Sequence, residues 1–185
     1  MKSFVLSLAI GTASLSFSAA PALFAADNPS TTQTSLSSGD KSFVTKAGQA
    51  GNSEVLAGQL AAKKSSNDDV KMFAEHMVKD HTDVGKELQD LASSKGLQLG
   101  SDTGKSGSKE LDKLTKAEGA DFDKLYIDGQ VADHEAVVKM FEKAAKKSDD
   151  ADVQKFASDH VEALKGHLQM AKDLQAKLNP TAVNK

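Results

Sequence analysis

Four ionisable residues stand where the local spacing calls for apolar ones: Glu54, His81, His134 and His167. Phe43, Ala47, Ala50, Glu54, Ala57 and Ala61 alternate in steps of four and three. So do Val70, Ala74, Met77, His81, Val84, Leu88 and Leu91. Ile127, Gln130, His134, Val137, Phe141 and Ala144 repeat the pattern, as do Val153, Ala157, His160, Leu164, His167, Ala171, Leu174 and Leu178. Such spacing keeps side chains on one stripe of a helix, the seam of a bundle. Each of the four groups therefore faces a core, one per helix. A buried carboxylate is costly unless something pairs with it. Three imidazoles and a carboxylate meeting in a dry core have two uses. They bind a single Zn, Fe or Mn ion through nitrogen and oxygen, or they form a metal-free Glu–His network that fixes helix register.

The remaining polar residues are placed by the same spacing. His160 also falls on the seam of the last helix and competes with His167, whereas His76 lies off the seam and reads as a solvated surface histidine. Asp80 and Asp133 each precede a seam histidine by one residue and face a helix edge or solvent, from where a carboxylate can hold an imidazole in place. At a rise of ~1.5 Å per residue, Glu54 stands ~18 Å before the first hairpin turn and His81 ~22 Å after it. By the same rise His134 stands ~20 Å before the second turn and His167 ~28 Å after it, which makes His167 the least well matched of the four.

The elements that must carry these residues are four helices. Asn67-Asp68-Asp69 and Ser148-Asp149-Asp150 supply cap residues and first-turn acids, and Gly96 and Asn179-Pro180 supply stops. A shift of 83 residues carries Ala61-Ala62-Lys63-Lys64-Ser65 onto Ala144-Ala145-Lys146-Lys147-Ser148, and Phe73-Ala74 onto Phe156-Ala157, so the chain reads as two copies of one antiparallel hairpin. Between them, residues 93–108 are rich in Gly and Ser, and residues 109–118 suit a short helix. A connection of that length crosses the height of a bundle and leaves the second and third helices parallel. The expected fold is an all-α, four-helix, up-down-down-up ferritin-like bundle.

Composition narrows the chemistry further. The 185 residues contain no Cys, so disulfides, thiol nucleophiles and thiolate metal sites are excluded. All 23 basic residues are Lys, the formal charge is -3 and the pI is about 5.9, which together argue against a nucleic-acid partner. No P-loop or Gly-x-Ser-x-Gly elbow occurs. A di-iron carboxylate centre needs a Glu from each of two helices and Glu-x-x-His from two others. Here Val78 and Leu164 occupy the positions three before His81 and His167, so an enzyme of that type is disfavoured.

Lys2, the apolar run from Phe4 to Phe17 and Ala20-Pro21-Ala22 read as a cleaved signal peptide over residues 1–25. The mature chain is then periplasmic or secreted, with no integral membrane association. Residues 26–38 read as a disordered leader, 39–178 as the bundle and 179–185 as a tail.

The order of motifs resembles a known family. Gly51-x-x-Glu54-Val55-x-x-Gly58-x-Leu60-Ala61 is followed by Val70-Lys71-x-Phe73-Ala74-x-x-Met77-Val78-x-Asp80-His81, then Phe122-Asp123-x-x-Tyr126, His134, Phe156-Ala157 and His167-Leu168-x-x-Ala171. Over residues 39–178 this is similar to the exported bacterial family called domain of unknown function 4142, of ferritin-like fold, whose members are often labelled outer membrane proteins. The resemblance implies the fold, export and equivalents of Glu54, His81, His134 and His167. It implies no activity, and the chain shows none of the strands of a barrel. His160-Val161 departs from the Leu-Pro that the family usually places before its last histidine.

Two functions follow as expectations. One is an exported bundle that binds or senses a metal through Glu54, His81, His134 and His167. The other is a non-enzymatic structural or stress-response envelope protein with a metal-free core network. The sequence names no protein partner.

Overall fold

The computed structural model describes residues 35–179, which form an all-α structure of five helices with no strand among the described residues. The signal peptide, most of the leader and most of the tail lie outside the described residues. The helices are α1 (Ser38–Lys64), α2 (Asp68–Ser94), α3 (Gly104–Lys116), α4 (Gly119–Lys147) and α5 (Ala151–Leu178). Four were expected. The fifth, α3, lies in the long connection and begins at Gly104, five residues before the short helix anticipated at 109.

The starts follow from capping chemistry. The Ser37 side chain accepts the Asp40 N–H at 3.1 Å. Asn67 Oδ1 accepts from Asp69 N and Val70 N at 2.9 and 3.3 Å, and Asp150 Oδ1 accepts from Asp152 N and Val153 N at 3.0 and 3.1 Å. Each cap satisfies donors that the first turn leaves orphaned. Lys63-Lys64 and Lys146-Lys147 occupy the last turns of α1 and α4, where cations suit the helix dipole. Gly96 at φ 69° ends α2, with Leu97 N–H returning to the Ala92 carbonyl at 2.8 Å. The start of α1 lies inside the expected leader, because Leu36 is buried in the core and Ser37 is the cap.

Polar contacts at the helix ends define how the elements run. Lys64, at the end of α1, pairs with Glu118 at the start of α4 (2.8 Å). At the opposite end Lys95, just after α2, pairs with Asp150 and Asp152 at the start of α5 (2.8 and 2.6 Å). There too, buried Asp40 near the start of α1 accepts from the Ser148 hydroxyl and the Asp150 N–H. So α1 and α5 run one way, and α2 and α4 the other. α3 runs beside α1, tied by Gln49 donating to Asp102 (2.8 Å) and Lys64 donating to the Thr115 carbonyl (2.8 Å). A shift of 83 carries Lys64, the last residue of α1, onto Lys147, the last of α4, and Asp68 onto Ala151.

Apolar burial falls into two clusters. One holds Leu36, Phe43, Val44, Leu88, Phe141, Phe156 and Leu164. The other holds Ala61, Val70, Phe73, Met77, Leu114, Phe122, Tyr126 and Leu174. On every long helix the ionisable seam residue lies between the two, as Glu54 does between Ala47 and Ala57 and His134 between Val131 and Val137. The seam itself drifts. Val138 and Ala92 are buried where Val137 and Leu91 are only partly so, because straight helices turn every 3.6 residues and not every 3.5.

Candidate metal centre

Three helices each deliver one imidazole to the layer between the apolar clusters. His81 comes from α2, His134 from α4 and His167 from α5, and all three are buried. Their ring centroids are 5.4 to 5.5 Å apart, and one ligand nitrogen from each lies within 4.8 Å of the other two. His81 Nε2, His134 Nε2 and His167 Nδ1 are buried and have no hydrogen-bond partner among the described residues. Buried polar atoms are rarely left this way.

In His134 and His167 the opposite nitrogen is occupied. His134 Nδ1–H donates to the Gln130 carbonyl at 3.0 Å, one helical turn back. His167 Nε2–H donates to Asp80 Oδ2 at 3.2 Å. A neutral imidazole has one N–H and one lone pair. In both residues the lone pair is thus directed to the nitrogen that has no partner, the arrangement in which protein groups orient metal-binding histidines. Burial is the main reason His81 is pushed down to about 3 and His134 to about 4, with neighbouring imidazoles adding to it. His167 is lowered as well, chiefly by burial and against the pull of Asp80. The trio is neutral and able to coordinate.

Glu54, the fourth expected ligand, stands beside this trio and outside the mutually close set of ligand atoms. Its Oε2 accepts from Gln130 Nε2 at 2.6 Å, and its Oε1 is 3.8 Å from His134 Nδ1, on the ring edge away from the unpartnered Nε2. Gln130, one turn before His134, draws the carboxyl aside. Burial drives the Glu54 carboxyl up to about 8, against the Gln130 hydrogen bond and helped by Asp133 and Glu110. Glu110 on α3 is itself pushed up to about 8 by burial and by Asp133 beside it. A carboxyl group of three residues thus adjoins the imidazole group.

His160 does not join. Its ring lies 4.6 Å from that of Phe156, and Nε2 is 3.1 Å from Glu87 Oε2. His76 is exposed as expected, but not isolated: its Nε2 lies 3.3 Å from Asp80 Oδ2 and its ring 5.4 Å from that of His167. Asp80 therefore orients His167 across the α2–α5 contact, not the adjacent His81. Burial raises the Asp80 pKa, but the His167 hydrogen bond and the charges of His76, His167 and Lys79 outweigh it and lower the net value. Sequence reasoning missed Gln130 and Glu110 as site residues. Gln130 carried a signal, being a polar seam residue four before His134. Glu110 carried none, since α3 has no extended apolar stripe.

A cavity of about 720 Å3 opens between α1, α2 and α5 and reaches His81 and His167 past Gly51, Val55, Gly85 and Leu88. No helix among the described residues is long and apolar enough to cross a membrane.

Comparison with known proteins adds the following. The model of a domain of unknown function, DUF4142, matches residues 25–174. Among solved structures, the crystal structure of a DUF305 fragment from Deinococcus radiodurans is similar at a TM-score of 0.68 and 11% identity, over 77% of this chain and 99% of that one. CopM in its Cu(II)-bound form is similar at a TM-score of 0.60 and 16% identity, over 75% and 96%. At these identities the likeness is one of fold. No curated protein matches.

Proposed function

The chain belongs to the DUF4142 family, and from that premise we propose that it is an exported ferritin-like bundle whose four long helices hold a single transition-metal ion. The ligands are His81, His134 and His167. The observation that carries this reading is the set of three buried, mutually close imidazoles, each with one nitrogen that has no partner. A metal-free Glu–His network would instead pair those nitrogens, since leaving a buried acceptor unpaired costs about 1–3 kcal/mol. Imidazole nitrogen suits Zn, Fe and Cu. The expected Glu and His donors suit Zn, Fe or Mn, and the similarity to a copper-bound protein adds Cu(II) to the ions to be tried.

Glu54 has a separate part in this reading. It keeps its proton while no cation is near, because burial disfavours its charge. A dication held by the three imidazoles would favour the carboxylate form of Glu54, which stands beside His134 and would then offset part of the ion's charge. Sites of this kind bind one ion and release protons on binding. The bundle supplies storage, transport or sensing of that ion, with no catalytic step assigned. In this reading residues 1–25 are a cleaved signal peptide and the mature protein works in the periplasm or outside the cell. The two hairpins, related by the 83-residue shift, are two copies of one unit meeting at the site.

Metal analysis of protein purified without chelator or histidine tag tests the proposal. One equivalent of Zn, Fe, Mn or Cu is expected, falling below a tenth of an equivalent in His134→Ala. Less than a tenth of an equivalent in the unaltered protein, with no uptake when each ion is added, overturns it.

A further inference from the structure

His167 belongs to two groups. Its Nδ1 is buried and has no partner among the described residues, while its Nε2 and His76 Nε2 both lie against Asp80 Oδ2, and His76, Asp80 and His167 form a second set whose ligand atoms fall within 4.8 Å of one another. This second group lies nearer to solvent than the buried trio: His76 is exposed and Asp80 half-buried, and Asp80 also lines the cavity that reaches His81 and His167. Lys79 pairs with the other Asp80 oxygen, Oδ1, at 3.6 Å, which leaves Oδ2 to the histidines at 3.2 and 3.3 Å. Two nitrogens and one carboxylate oxygen make a donor set for a divalent transition ion.

We propose that His76, Asp80 and His167 form an outer landing site that captures the ion from solvent and passes it to the buried trio through the shared His167 ring. The proposal rests on the inner site described above. Its physical basis is the single proton of a neutral imidazole. With an ion inside, His167 coordinates through Nδ1, and Nε2–H donates to Asp80. With an ion outside, Nε2 coordinates and the proton sits on Nδ1. Both sites filled at once would require the ring to lose its last proton. The two sites therefore exclude one another, and inward movement of the ion is matched by return of the proton to the nitrogen facing Asp80.

The face has a second feature. Met72, 61% exposed, stands four residues before His76, and Met170, 37% exposed, three residues after His167, so both occupy neighbouring turns of this surface. Thioethers suit copper among the candidate ions, so copper is the first probe and zinc the second.

The test separates the two sites. Each protein is loaded with Cu(II) alone, then with Zn(II) alone, following stoichiometry at equilibrium and rate by stopped flow. In His76→Ala the stoichiometry should stay at one equivalent while loading slows at least tenfold. In His81→Leu/His134→Leu, checked for folding by circular dichroism, one weaker equivalent should remain and should vanish when His76→Ala is added. Unchanged loading in His76→Ala, with slowed loading in Gly85→Leu, would place the path through the cavity between α1 and α2 and overturn the proposal. Absence of any ion from His81→Leu/His134→Leu overturns it too, leaving the inner site intact. If the unaltered protein binds no more tightly than that double variant and still depends on His76, the inner site falls and the outer one stands.

Discussion

An imidazole can turn a lone pair toward a shared centre only when its other nitrogen carries the proton. His134 and His167 meet that condition by donating to the Gln130 carbonyl and to Asp80. The same chemistry makes the metal-free site a local weakness. A buried polar atom without a partner carries a desolvation penalty of about 1–3 kcal/mol, which an apolar side chain does not. His81→Leu should therefore raise stability by about 1 kcal/mol in chelator, read from urea unfolding, while reducing metal uptake.

Glu54 makes the pH dependence asymmetric. Unfolded, it releases its proton near 4.5, whereas folded it holds the proton to about 8. Its contribution to stability is complete below 4.5 and is lost as pH rises toward 8. His81 and His134 act in the opposite sense. Unfolded, they take up a proton below 6.5, and folded they resist to about 3 and 4, so their contribution is lost as pH falls below 6.5. In chelator, the unaltered protein should lose roughly 2 kcal/mol more than Glu54→Gln between pH 6.5 and 8, read from urea midpoints at each pH. Equal losses would mean that Glu54 is already ionised in the folded protein.

At the scale of elements, the lean of side chains resolves the mismatch in height. Side chains on a helix tilt toward its N-terminus. α5 starts at the turn it shares with α4, so His167 leans back toward that turn, while His134 leans away from it. The ~8 Å difference estimated from backbone rise is thereby narrowed, and His167 meets the trio in place of His160. α1 and α2 approach tightly at Gly58, where a Cβ would come within 2.8 Å of the Val78 side chain and 3.1 Å of the Ala74 carbonyl. Gly51, two turns earlier on the same helix, has nothing within 4 Å of the same position. Gly51→Ala should stabilise by up to ~1 kcal/mol through helix propensity. Gly58→Ala should destabilise by about 1 kcal/mol or more, because overpacking outweighs that gain. Thermal melts of the two variants check the opposite signs.

On the scale of the whole molecule, the site joins helices that otherwise belong to separate hairpins. His81 lies on the first hairpin, and His134 and His167 on the second. An ion held by all three would link the hairpins in the folded state alone. At an ion concentration of 100 times Kd the gain is about 2.7 kcal/mol. For a chain of this size that corresponds to a rise in Tm of roughly 5–10 °C. Calorimetry with and without the ion should show that rise in the unaltered protein and none in His134→Ala.

Much of this architecture was legible in the chain. Helix ends were written in short-range chemistry, as at Asn67, Asp150 and Gly96, where a cap or a left-handed residue acts on its own neighbours. The seam positions of Glu54, His81, His134 and His167 followed from periodicity, which is also local. What periodicity cannot convey is which partners meet across helices. Gln130 holding Glu54 aside, Asp80 reaching His167 instead of His81, and Glu110 arriving on α3 all depend on how the elements are set against one another. Side-chain lean, helix drift and the course of the long connection determine those contacts. The sequence thus determined the helices and the polar layer within them, because both follow from interactions a few residues apart. Only the tertiary structure decided that three imidazoles come together, with Glu54 beside them, because a contact across helices depends on the arrangement of all of them at once.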